Sequence, residues 1–139
     1  MLSVVMAFAV MFLAGCGNSF KTVTIPIDST SLSEDKATII IFQDTPKIIT
    51  ETTMKYEIIM DEKHLGFVEA EKPFKIAIEP GFHELNTVTF YIDRITKQQF
   101  IAGQTYYFRL WTEYGIWVVS VWLQPTYKRD SYETNILEK

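Results

Sequence analysis

The chain has 139 residues, 13 basic and 17 acidic side chains, a formal charge of −4, two histidines and one cysteine. Its length suits one domain rather than two, and its mild acidity argues against a nucleic-acid or other polyanion-binding surface. A lone cysteine excludes an intrachain disulfide and a Cys-based zinc cluster.

Residues 1–15 are apolar except for Ser3 and Gly15, and the run stops at Cys16. A spanning helix needs about 20 such residues, so this stretch has instead the length of a secretory signal core. The residues Leu13-Ala14-Gly15-Cys16 resemble the bacterial lipobox, where signal peptidase II cuts before the cysteine and the thiol carries a diacylglyceryl group. Ala14 and Gly15 leave room for a peptidase at the scissile bond, and the Cys16 thiol is the strongest nucleophile nearby. The resemblance implies a leader of residues 1–15, recognised at Leu13, Ala14 and Gly15. It also implies a mature chain held to a membrane by palmitate-type acyl chains on Cys16. Two or more acyl chains make a stable anchor where one does not. Gly17, rather than Asp, resembles the signal for the outer membrane over the inner. The expected address is therefore the bacterial cell envelope. Residues 16–36 are rich in Ser, Thr and Asp and read as the lipidated cysteine and a flexible tether, with one short strand at Thr22–Ile25.

From residue 37 the chain is dominated by β-branched and aromatic residues, which suit pleated, half-buried strands. Ala37–Phe42 reads as a strand buried on both faces, ended by Asp44-Thr45-Pro46. Met54, Tyr56, Ile58 and Met60 alternate with polar residues, and Asp61–His64 turns the chain into Leu65–Val68 as a hairpin. Phe74–Ile78 follows Pro73 and runs into the tight turn Glu79-Pro80-Gly81, after which Phe82–Leu85 resumes. Further strands are expected around Thr87–Ile92 and Gln98–Ile101, with a turn at Ala102-Gly103-Gln104. Thr105–Trp111, a turn at Tyr114-Gly115 and Ile116–Leu123 make a strong hairpin signal. Residues 37–126 are thus expected to form an all-β, antiparallel β-sandwich of about seven or eight short strands. Residues 127–139 form a C-terminal tail read as holding a short helix.

The Leu65-Gly66-Phe67 strand, the Pro80-Gly81-Phe82-His83 turn and the Gly103…Tyr106-Tyr107…Arg109 segment resemble, in that order, the DUF2846 family of bacterial lipoproteins and secreted domains. That family is akin to PEGA-type surface domains, and the resemblance spans residues 37–123. It implies a β-sandwich at the cell envelope and brings no established catalytic residues. This chain departs at the first hairpin tip, with Glu62-Lys63 where Asp-Gly or Asn-Gly is usual, and at Glu79, where a second Pro is common.

Chemistry-bearing residues are sparse. His64 and His83 could gather a metal only with Asp61, Glu62 or Glu84, and each reads better as a solvated or turn-bonding histidine; no metal or cofactor is expected. The serines Ser29, Ser31 and Ser33 sit in the tether without an oriented base, and Glu69 with Glu71 reads as a solvated acid pair; no enzyme is expected. The aromatic surplus carries the functional content. Tyr107, Arg109, Trp111 and Trp122 are the candidate binding surface, because aromatic and Arg side chains bury area at little entropic cost. Three roles fit: an interaction or structural module of the envelope, a carbohydrate- or peptidoglycan-binding module, and an outer-membrane lipoprotein of a secretion or efflux assembly.

Overall fold

The computed structural model describes residues 20–44, 55–88, 96–114 and 119–137. Leu13, Ala14, Gly15 and Cys16 lie outside these, as does the stretch 89–92 expected to continue a strand. The described residues form ten strands in three sheets. Eight of them make the expected β-sandwich. One four-stranded sheet runs in the order β5 (Phe74–Ile78), β2 (Ala37–Gln43), β8 (Thr105–Tyr114), β9 (Val119–Thr126). The other runs β4 (Lys63–Val68), β3 (Tyr56–Met60), β6 (Gly81–Thr87), β7 (Thr96–Phe100). Within the sandwich every pairing is antiparallel except β2 with β8, which lie parallel with Thr38 opposite Thr105.

Alternation explains the core between these sheets. Ala37, Ile39 and Ile41 of β2, Phe108 and Leu110 of β8, and Val121 and Leu123 of β9 face Tyr56, Ile58, Met60, Val68, Leu85 and Phe100. The Tyr56 hydroxyl and the Thr112 hydroxyl, 3.1 Å apart, form a buried polar link between the two sheets. Gly66 is needed where β4 crosses β5: its φ is 152°, and a Cβ there would sit 2.5 Å from the Phe74 ring.

The first hairpin tip is tighter than the sequence suggests. Met60 pairs with Lys63, so the loop is the two residues Asp61-Glu62, and both have positive φ, 47° and 66°. That is the primed turn which matches strand twist and normally selects Asn-Gly. Asp61 earns its place through its partners: its N–H donates to the Glu84 carbonyl, and its carboxylate accepts the Glu84 N–H.

The third sheet extends one expected strand and overturns one expectation. β1 (Phe20–Pro26) lies inside the segment read as a flexible tether, and it is longer than the short strand expected there. β10 (Ser131–Leu137) occupies the tail, where a short helix was expected. The two pair antiparallel over seven positions, from Phe20 opposite Leu137 to Pro26 opposite Ser131. The reason is the outer face of β2. All seven β2 residues are buried, and those pointing away from the sandwich core need a cover. Ile40, Phe42 and Tyr107 receive it from Ile25, Ile27 and Tyr132, forming a second apolar cluster. Tyr132 stacks on Phe42 at 5.3 Å and donates its hydroxyl to the Ala70 carbonyl at 3.1 Å. Below the ribbon, Asp28 accepts the Thr30 N–H and pairs with Lys75 at 3.0 Å, contacts that hold its carboxyl down at about 2.

Tyr132 should therefore act as the latch of the ribbon. Tyr132→Ala is expected to cost about 3–5 kcal/mol by opening an aromatic-sized cavity, and Tyr132→Phe about 1 kcal/mol by removing one hydrogen bond. Burial, with the Glu71 charge nearby, pushes the phenol from 10.0 up to about 12. The unfolded phenol ionises first, so this contribution is complete below pH 10 and is lost as pH rises towards 12. Denaturant titrations across that window should show an alkaline loss of stability that Tyr132→Phe lacks.

Candidate functional site

Strand alternation places Tyr107, Arg109 and Trp111 of β8 on the face pointing away from the sandwich core. The β8–β9 register sets Gln124 opposite Arg109 and Trp122 opposite Trp111. The four predicted residues then part company. Tyr107 is 8% exposed beneath the ribbon and so drops out of the predicted surface: alternation chose the right face, but a third layer covers this part of it. Arg109, Trp111 and Trp122 lie outside that cluster and are half-buried.

These three side chains form a ladder. The Trp111 and Trp122 rings stack with centroids 5.3 Å apart and planes 7° from parallel. The Arg109 guanidinium sits 5.7 Å from the Trp111 centroid. Two residues not picked out from the sequence fix the assembly: Asp44 accepts from Arg109 Nη1 at 3.3 Å, and Gln124 Oε1 accepts from Trp111 Nε1 at 3.2 Å. Finding Gln124 required the hairpin register. In that register Tyr114 pairs with Val119, and the turn expected at Tyr114-Gly115 runs into residues 115–118, outside the described residues. Asp44 is brought in by the parallel β2–β8 pairing, where its N–H donates to the Leu110 carbonyl at 2.7 Å.

The arrangement is a pre-ordered patch of cation and stacked indoles. Stacking on each other covers one face of each indole, and the guanidinium crowds the Trp111 ring. A flat sugar ring needs an open aromatic face, whereas a protein partner can use ring edges and a held guanidinium. Its Asp44 pairing also keeps the guanidinium oriented before any partner arrives.

The histidines and acids assemble elsewhere, on the other sheet. His83 Nε2 donates to the Glu79 carbonyl at 2.9 Å, and Nδ1 lies 2.5 Å from Asp61 Oδ2. Both partners can accept, so the ring is held between the turn carbonyl and the hairpin-tip carboxylate. This ties the Pro80-Gly81 turn to the first hairpin tip. His64 Nδ1 lies 2.6 Å from Glu57 Oε1 on the exposed surface. Glu69 pairs with Lys55 at 2.7 Å, as a solvated acid would. Among the described residues no three His, Cys, Asp or Glu converge as metal ligands.

Comparison with known proteins returns no matching family model, no similar curated protein and no similar solved structure.

The Asp61 contacts carry a pH dependence. The Glu84 N–H and then the His83 ring hold its carboxyl below the usual 3.8, so the folded state favours the charged form. The stability gained is present above the unfolded value and is lost as pH falls through the lower folded value. Asp61 is partly exposed, and solvent screening keeps the contribution to at most about 1 kcal/mol. Acid unfolding followed below pH 4 should be less steep in Asp61→Asn than in the wild type.

Proposed function

We propose that this chain is a non-enzymatic lipoprotein of the bacterial cell envelope, of the DUF2846 kind, anchored through lipid on Cys16. In this reading it docks a partner protein through Arg109, Trp111, Trp122 and Gln124. The observation that carries it is the Arg109–Trp111–Trp122 ladder. Aromatic and Arg side chains are the residue types that dominate binding hot spots. Here they are held in one geometry by Asp44 and Gln124. The lipobox-like Leu13-Ala14-Gly15-Cys16 supplies the address, favouring the outer membrane. A peptidoglycan or glycan ligand is served less well, because the indoles stack on each other. Membership of a secretion or efflux assembly is one form of the same docking role.

Membrane fractionation and site-specific crosslinking test this together. Wild-type protein should fractionate with membranes and have an intact mass corresponding to residues 16–139 plus lipid, while Cys16→Ala becomes soluble. A photo-reactive residue at position 124 should give a discrete heavier species in cells. Trp122→Ala should abolish that species while remaining membrane-bound and folded by circular dichroism. A crosslinking pattern unchanged by Trp122→Ala and Arg109→Ala would remove the ladder from the function.

A further inference from the structure

The ribbon of β1 and β10 is paired to its far end, and among its described side chains those in the second cluster lie towards its base. Of its described side chains, Ile25 and Tyr132 join the second cluster and Val23 is half-buried, whereas Lys21, Thr22 and Thr24 are exposed. A two-stranded ribbon with no third element is marginal in water. Pairing nevertheless continues through Lys21 opposite Ile136 to Phe20 opposite Leu137. The end of the ribbon, where Lys21 and Thr22 are exposed, is thus placed to lie against a surface outside the sandwich.

We propose that this surface is the lipid bilayer, and that the ribbon is a short, stiff post seated in the headgroup region. This rests on the reading of Cys16 as the lipidated residue. Only residues 17–19 separate Cys16 from β1. Four Cα-to-Cα steps span at most about 14 Å, so the Phe20 end of the ribbon cannot leave the membrane surface once Cys16 is acylated. Lys21, exposed one residue inside that end, faces a surface whose anionic headgroups attract a cation. The post is about 20 Å long at about 3.4 Å per residue. Its base is fastened by Tyr132 to Ala70 and Phe42, so the sandwich is carried at a set height and orientation. The segment that reads as a slack tether becomes an orienting element.

The test uses the full lipoprotein, whose own thiol is blocked by acylation. Intact mass first establishes the lipid on Cys16. Lys21→Cys and, as a distant control, Gln99→Cys are each labelled with an environment-sensitive NBD dye. Both are reconstituted in vesicles of phosphatidylethanolamine and phosphatidylglycerol containing nitroxide lipid. The expected result is a blue-shifted emission at position 21, quenched several-fold more strongly than at position 99. Equal, weak quenching at both positions in a lipidated protein overturns the post while leaving the anchor intact. A blue shift without quenching, with ribbon-to-ribbon crosslinks between copies, assigns the covering surface to a second chain and also overturns it. A protein without lipid on Cys16 removes both the anchor and the post.

Discussion

Everything in this fold is arranged around one strand that has no polar face. β2 reads Ala-Thr-Ile-Ile-Ile-Phe-Gln, and each of its seven residues is buried. A strand in an ordinary two-layer sandwich buries alternate residues and shows the rest to water. β2 cannot do that without exposing Ile40 and Phe42, at a cost of roughly 1.5–3 kcal/mol each. Two layers satisfy Ile39 and Ile41, and a third is required for their neighbours. The chain makes the third layer from its own two ends.

That requirement also determines where the outer surface becomes available. The ribbon closes over Ile40, Phe42 and Tyr107, and the same sheet continues past it as Arg109, Trp111, Trp122 and Gln124. Tyr107 and Trp111 are four residues apart on the same side of β8, and one is core while the other belongs to the patch. Asp44, the residue just beyond β2, supplies the carboxylate that holds Arg109. The patch is thus organised by the central strand as much as the core is.

Most of the sandwich was legible because its signals are local. The doubly apolar β2, the alternating β3 and the Pro80-Gly81 turn each declare themselves within a few residues. The position of His83 after that turn was likewise enough to foresee its bond to the Glu79 carbonyl. β10 was not legible, since Ser-Tyr-Glu-Thr-Asn-Ile-Leu contains neither alternation nor a breaker that distinguishes a strand from a short helix. Its state is decided by a partner more than a hundred positions away. Tyr107 was misjudged for the same reason: period two tells which face a side chain takes, and only distant chain decides whether that face is wet. The parallel β2–β8 pairing and the Trp111–Trp122 stack are likewise matters of register between strands, which composition does not encode.

The pairing of the two ends has a consequence for how the protein is made. Pro26 meets Ser131 and Phe20 meets Leu137, so every bond of the ribbon joins the earliest and latest parts of the domain to emerge. Such contacts close loops of more than a hundred residues, the kind of closure that costs most entropy. Without Tyr132, Ile40, Phe42 and Tyr107 lose part of their cover. A chain that stops short of β10 would keep that apolar face open to proteases and chaperones. The closing of the ribbon thus marks the point at which the outer face of β2 gains its cover, making the presence of β10 a physical property of the surface.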